Sequence, residues 1–231
     1  MKYKKIIPGI FLSRPNRFIA KVLIDTKEET VHVKNTGRCK ELLQKGCNVY
    51  LSESDNPQRK TKYDLVTVEK IRIGKNNLLV NMDSQLPNTV AAEWILKSGI
   101  FSENVVLRRE VTYGKSRFDI YAEDGNRKAF IEVKGVTLEN DGIASFPDAP
   151  TERGTKHLNE LIEAKKNGFE AYILFIIQMK EIHLFTPNAK HDPVFSETLK
   201  KAQTNGVKII AVDCIVTENE VTADKEVKIS I

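Results

Sequence analysis

Apolar and polar positions alternate over short stretches in the first third of the chain. Residues 17–24 partly alternate and are rich in β-formers, and residues 30–34 alternate clearly. Residues 47–51, 64–73 and 77–80 complete a set of five predicted strands. Between the second and third lie residues 38–43, long enough for only a helical turn or two, with Gly37 before and Gly46 after. Five short strands with one helical turn predict an OB-like barrel over residues 1–82, although other small barrels fit the same pattern.

From residue 83 onward the rhythm changes. Residues 86–97 place Leu86, Val90 and Trp94 on one helical face, and Gly99 follows the end. Three β-rich runs follow, at 105–113, 117–121 and 129–134. Glu123-Asp124-Gly125-Asn126 is a turn signal that makes the last two a hairpin. Residues 150–167 predict a helix with Leu158, Leu161 and Ile162 on one face, stopped by Gly168. Strands at 171–177 and 182–185, a helix at 193–204 and a strand at 207–213 complete the pattern. This order predicts a mixed sheet flanked by helices, an α/β domain over residues 83–231.

Charge sharpens the division. Residues 1–82 hold 17 Lys/Arg and 8 Asp/Glu, and residues 83–231 hold 19 and 23, within a total of +5. A basic module beside a mildly acidic one points to a polyanionic partner, most simply nucleic acid, or to lysines that merely solubilise a small β domain. The longest apolar run, residues 171–177, is of strand length, so no membrane span is expected. The N-terminus is basic without the apolar core of a signal peptide, which predicts a cytoplasmic protein. Three cysteines without a CxxC suggest neither a disulfide framework nor a zinc site.

Candidate chemistry concentrates in Ile131-Glu132-Val133-Lys134. Residues two apart on a strand face the same way, so Glu132 and Lys134 share one face of an otherwise apolar strand. Pairing through the 123–126 turn brings Asp119 near Glu132. Two acids and a lysine there suit a Mg²⁺ or Mn²⁺ site for phosphodiester cleavage, with carboxylates as hard oxygen ligands. They equally suit a salt bridge on a sheet edge. Glu-x-Lys occurs three times, at Glu132, Glu163 and Glu226, so the spacing alone does not choose.

The succession of helix, three strands, helix and strand resembles the core of PD-(D/E)xK nucleases, whose signature is similar to Asp119 followed by Glu132-x-Lys134. The resemblance implies a further acid from the first helix, Glu93, as a third metal ligand. It also implies a polar residue after the next central strand, Gln178, as support.

Beyond that, the chain resembles the sugar fermentation stimulation protein family almost end to end. The matching segments include Asn35-Thr36-Gly37, Asn56-Pro57 with Arg59-Lys60, Leu86-Pro87-Asn88, Arg108-Arg109-Glu110-Val111, Ser116-Arg117-Phe118-Asp119, Ile131-Glu132-Val133-Lys134, Phe146-Pro147-Asp148-Ala149 and Thr151-Glu152-Arg153-Gly154 with Lys156-His157-Leu158. Arg38-Cys39 departs from what many relatives carry. The resemblance implies an N-terminal OB-like domain, a PD-(D/E)xK-like domain, DNA binding and a regulatory part in maltose metabolism.

Other cations complete the expected DNA contacts. Arg153, Lys156 and His157 can reach phosphate from a helix N-terminus, and Arg117 neighbours Asp119. Arg59 and Lys60 lie in a basic loop, Arg14 and Arg17 form a second basic patch, and Arg38 is a further expected DNA contact. Phe18, beside Arg17, reads as core. His32, His183 and His191 read as structural. Contacts of this kind are mainly to phosphate, which predicts weak sequence preference and a steep salt dependence. Three functions remain open: a DNA-binding Mg²⁺-dependent nuclease, a DNA-binding regulator with a non-catalytic nuclease-like scaffold, and a metal-dependent enzyme acting on RNA or a nucleotide. Nuclease folds of this type often act as homodimers.

Overall fold

The computed structural model describes residues 1–35 and 37–231, so Thr36 of the Asn35-Thr36-Gly37 segment lies outside the described residues. The chain divides into two compact units. The first comprises residues 1–86 with two returning segments, 178–180 and 214–222; the second comprises 87–177, 181–213 and 223–231.

The first unit is built on β1 (Ile6–Asn16), β2 (Ile19–Ile24), β3 (Lys27–Val33), β4 (Asn48–Glu53), β5 (Tyr63–Lys70) and β6 (Leu78–Asn81). Neighbours run β3-β2-β1-β4-β5-β6, and a parallel pairing of β3 with β5 closes the first five into a barrel. Closure removes the exposed edges that an open sheet would leave. Alternate residues of the ring, among them Phe11, Val22, Val31, Val33, Val49, Leu51, Leu65 and Val68, fill the interior.

The ring differs from the five predicted strands. β1 begins eleven residues before the first of them, and β6 extends β5 outside the ring. Pro8 and Gly9 disguise β1 as a turn. Proline is accommodated because residues 6–10 pair with β4 while residues 10–16 pair with β2, so Pro8 carries a ladder on one flank. Gly9 is required by close approach: a Cβ there would lie 2.5 Å from Val22 Cγ1 and 3.1 Å from the Leu23 carbonyl oxygen. Gly9→Ala is expected to cost ~1–3 kcal/mol as an overpacking change, read as a lower urea midpoint. The predicted helical turn at 38–43 is a pair of tight turns in which Leu42 and Leu43 donate to the Cys39 carbonyl.

The second unit follows the predicted order with three additions. Its elements, with Leu86, residues 214–216 of β14 and residues 221–222 of β15 counted in the first unit, are α1 (Leu86–Ile95), β7 (Val106–Tyr113), β8 (Ser116–Asp124), β9 (Arg127–Val136), β10 (Leu138–Asn140), β11 (Ile143–Phe146), α2 (Glu152–Lys166), β12 (Glu170–Ile177), β13 (Leu184–Pro187), α3 (Pro193–Thr204), β14 (Lys208–Val216) and β15 (Val221–Glu226). The main sheet runs β15-β14-β12-β9-β8-β7, with β10-β11-β13 in a small second sheet. β7, β8 and β9 are antiparallel, whereas β9, β12 and β14 run parallel. The long β9-to-β12 connection contains α2, as a parallel pairing requires. β12 is buried along nearly its whole length, which accounts for its unbroken apolar run. β10, β11 and β15 were not legible as strands, because three- and four-residue segments and a polar edge carry too little alternation.

The starts of α2 and α3 are tied together. The Thr151 side chain accepts from Gly154 N–H at 3.0 Å, and Asp192 Oδ1 accepts from Phe195 N–H at 2.9 Å. Asp192 Oδ2 also accepts from Thr151 N–H at 2.8 Å, so one buried carboxylate serves both helix entries. α2 turns Gly154, His157, Leu158, Leu161 and Ile162 inward.

Glu170 gathers the first residues of three adjacent strands. Its carboxylate accepts from Arg127 Nε at 2.6 Å and Nη2 at 3.1 Å, from Tyr172 OH at 2.6 Å and from Lys208 Nζ at 3.4 Å. The Arg127 hydrogen bonds, against some desolvation, hold its pKa at about 2. A carboxyl depressed in this way stabilises the fold fully above its unfolded value, about 4.3, and loses that contribution as pH falls through about 2. Glu170→Gln is therefore expected to lower stability at neutral pH and to flatten the acid dependence between about pH 4 and pH 2, checked by urea melts across that range.

Candidate functional site

The β8–β9 hairpin forms as the 123–126 turn predicts, with Ile120 opposite Ile131. Asp119 on β8 accepts from Val133 N–H at 2.8 Å through Oδ2 and from Asn88 Nδ2 at 2.9 Å through Oδ1. Asp119 is thus fixed to the backbone of the strand that carries Glu132 and Lys134. Asn88, on α1, is a contributor that the residue pattern did not single out.

Glu132 is 2% exposed. Its Oε1 accepts from Lys134 Nζ at 2.6 Å and from His157 Nδ1–H in a close contact. The carboxylate acceptor requires the proton on Nδ1. Burial works to raise the Glu132 carboxyl, but the hydrogen bond from His157 and the charge and hydrogen bond of Lys134 outweigh it and hold its pKa below the ordinary range. Asp119 moves the other way: burial first, then repulsion from Glu132, push its carboxyl up. The second Glu132 oxygen, Oε2, is buried with no hydrogen-bond partner. An orphaned anionic oxygen beside a second carboxylate suits a hard divalent ion, which often uses one or two carboxylates and completes its shell with water and substrate phosphate. Of the three Glu-x-Lys pairs, only that of Glu132 is buried; Glu163 and Glu226 are exposed.

Two expected supporters lie elsewhere. Glu93 is exposed on α1. Among the described residues no group of three or more Asp, Glu, His or Cys is placed to hold a metal, so the expected Asp119–Glu132–Glu93 trio is not assembled. Gln178 belongs to the barrel unit, where its buried amide donates to the Asn81 carbonyl at 3.1 Å, Asn81 Oδ1 at 3.0 Å and the Asp83 carbonyl at 3.1 Å.

Arg117, Arg153, Lys156 and His157 do come together. With Lys115, Ser116 and Glu152 they line a groove of about 530 Å³ at the start of α2. Four cations against one carboxylate make this an anion-attracting surface, reinforced by the helix N-terminus. His157 is both a wall of this groove and the hydrogen-bond partner of Glu132. It is 5% exposed, so its part is to hold the carboxylate rather than to reach out to phosphate.

The barrel cations divide by role. Arg59 forks onto buried Asp64, at 2.9 and 2.6 Å, and His32 Nδ1 lies 2.8 Å from the same carboxylate. Arg59 therefore anchors the basic loop, while Lys60 stays exposed. Arg14 donates to the carbonyls of Gly37, Arg38, Arg17 and Asn35 at 2.7–2.8 Å and acts as a clamp. Arg17 and Arg38 are exposed. Phe18 is 49% exposed, which corrects its reading as core: it occupies the connection between β1 and β2, outside the ring. Among the described residues no helix is long and apolar enough to cross a membrane.

A closed five-stranded OB barrel followed by a mixed-sheet α/β domain, with a buried acid–lysine–histidine cluster beside a cationic groove, defines the class of this protein. The chain belongs to the sugar fermentation stimulation protein (SfsA) family. Residues 12–78 match the SfsA N-terminal OB domain, and residues 85–220 match the sugar fermentation stimulation protein RE domain. A sugar fermentation stimulation protein homolog from Desulfitobacterium hafniense is 57% identical over 231 residues, covering 100% of this chain and 99% of its own. A homolog from Clostridium beijerinckii is 53% identical over 221 residues, 96% of each chain. The structure of Pyrococcus furiosus SfsA in complex with Ca²⁺ matches with a TM-score of 0.86 at 31% identity, over 100% of this chain and 98% of that one.

Proposed function

We propose that this protein binds DNA and cleaves its phosphodiester bonds with Mg²⁺ or Mn²⁺ at Asp119, Glu132 and Lys134. The observation that carries the reading is the sharing of His157 between the buried Glu132 carboxylate and the cationic groove. An anionic backbone attracted to Arg117, Arg153 and Lys156 lies next to the two acids. The Pyrococcus relative was solved in complex with Ca²⁺, a divalent ion that favours oxygen ligands such as carboxylates.

Asp119 and Glu132 Oε2 are the oxygens that would hold the ion. When bound, it lowers the pKa of a water and neutralises charge on the scissile phosphate. Lys134 keeps Glu132 ionised and presents its remaining N–H groups to the attacked phosphate or the water. His157 and Asn88 fix the two carboxylates in place. The attacking water would give up a proton to solvent as its oxygen bonds to phosphorus, the ester P–O bond would break, and the leaving alkoxide would take up a proton from solvent.

The test is cleavage of plasmid and single-stranded DNA in Mg²⁺ or Mn²⁺ by the wild type and Lys134→Ala. Cutting that chelation and the substitution both abolish, with DNA retention unchanged, supports the nuclease. Salt-sensitive binding without cutting in either metal returns the protein to a DNA-binding regulator on a non-catalytic scaffold. Cutting confined to substrates bearing a 2′-OH redirects the reading to RNA.

A further inference from the structure

The barrel carries a second feature, separate from the acid cluster. Phe18 is a large aromatic left 49% exposed at the connection between β1 and β2. Folding gains little from a ring placed there, yet the backbone that presents it is held tightly. Asn16 Oδ1 accepts from Phe18 N–H at 2.9 Å and from Ile19 N–H at 3.0 Å, and the Phe18 carbonyl accepts from Val33 N–H at 2.8 Å. Arg14 clamps the Arg17 carbonyl and the facing loop carbonyls of Gly37 and Arg38 with one guanidinium. Arg17 lies 5.4 Å from the centre of the Phe18 ring. Arg17 is also a wall of a groove of about 290 Å³ lined with Arg14, Asn16, Arg38 and Lys40, among others. Arg17 thus joins an exposed ring to a cationic groove, in a segment that carries an excess of nine positive charges over residues 1–82.

We infer that Phe18 is a base-stacking platform for single-stranded nucleic acid, with Arg17, Arg38 and Lys40 holding the flanking phosphates. The inference rests on the nucleic-acid binding proposed above but not on cleavage. An unpaired strand is selected because only an unstacked base offers its face to the ring; a duplex offers phosphates alone. Stacking on a fixed ring avoids most of the ordering cost of binding, and an arginine beside the ring adds a cation–π contribution. The connection between the first two strands is one of the places where barrels of this topology take oligonucleotides.

The test compares wild type, Phe18→Ala and Phe18→Trp by anisotropy of a labelled oligo(dT) and of a mixed-sequence duplex of equal length, at several salt concentrations and without divalent metal. Phe18→Ala is expected to weaken oligo(dT) binding about 10- to 100-fold, with duplex affinity and salt slope unchanged. Phe18→Trp is expected to retain binding and to show fluorescence quenching on adding oligo(dT). Replacing Arg38 and Lys40 with alanine is expected to lower the salt slope by about one for each phosphate no longer neutralised. Unchanged oligo(dT) affinity in Phe18→Ala, with the wild type binding normally, overturns the platform and leaves DNA binding standing. A wild type that binds neither oligo(dT) nor duplex overturns the nucleic-acid reading itself, and the platform with it. Because Phe18 is exposed, unchanged thermal melting of both variants separates a binding defect from a folding defect.

Discussion

Glu132→Gln is expected to remove divalent-ion binding and strand cleavage together, and to destabilise the α/β unit. The carboxylate is 2% exposed, and its two oxygens have separate tasks. Oε1 receives Lys134 and His157, whereas Oε2 is buried without a partner. Glutamine keeps the volume but loses the charge that both tasks need. Its single carbonyl can replace one acceptor, and its amide turns a donor towards the proposed ion or towards the Lys134 ammonium. Lys134, with only 15% of its side chain exposed, then lacks its counter-charge. Removing one partner of a buried pair costs about 3–5 kcal/mol. Loss of a preorganised charged group at a reacting phosphate costs on the order of 10²–10³-fold in rate. Mn²⁺ titration by calorimetry and urea melts check the two effects separately. Unchanged Mn²⁺ affinity in the variant would remove Glu132 from the ligand set, whatever happens to stability.

Phe118→Ala is the second large effect, and it links packing to chemistry. Phe118 is fully buried on β8, next to Asp119. Its ring packs against Phe130 at 5.2 Å and Tyr113 at 6.3 Å, and meets the His157 imidazole edge-on at 6.2 Å. Truncation opens a cavity beneath the residue that holds Glu132, and a buried Phe→Ala change costs about 3–5 kcal/mol. The protein's single tryptophan, Trp94, lies in this unit, so its fluorescence follows the relevant transition even where two units unfold separately. With His157 less tightly packed, cleavage is expected to fall in the surviving folded fraction as well. A loss below about 1 kcal/mol would show that the aromatic cluster re-closes around the gap and does not brace the site.

Local sequence settled much of this protein. Glu123 to Asn126 closes the β8–β9 hairpin because its residues accept turn geometry, and Gly125 does so with φ of 58°. That hairpin, together with the two-residue period of a strand, is enough to bring Asp119 beside the Glu132–Lys134 strand. The spacing of Leu158, Leu161 and Ile162 fixed the buried face of α2, and Gly168, at φ of 87°, ends the helix where expected. The basic first module and, apart from β1, β10, β11 and β15, the order of elements were also legible, because each is carried by neighbours along the chain.

What the tertiary structure decided depends on partners far apart in sequence, which leave no periodic trace. His157 reaches Glu132 across 25 positions, and Asn88 reaches Asp119 across 31. Gln178, read as a supporter of the acid cluster, instead binds Asn81, 97 positions away. Arg59 was drawn onto Asp64 because a buried carboxylate requires compensation, whereas Lys60 beside it stayed in solvent. Three Glu-x-Lys pairs are indistinguishable as text; packing alone buried one and left the others hydrated. The same holds for Phe18 and for β1. Hydrophobicity says that a ring or a strand prefers to be covered, but whether cover exists is set by barrel closure, which only the pairing of β3 with β5 determines.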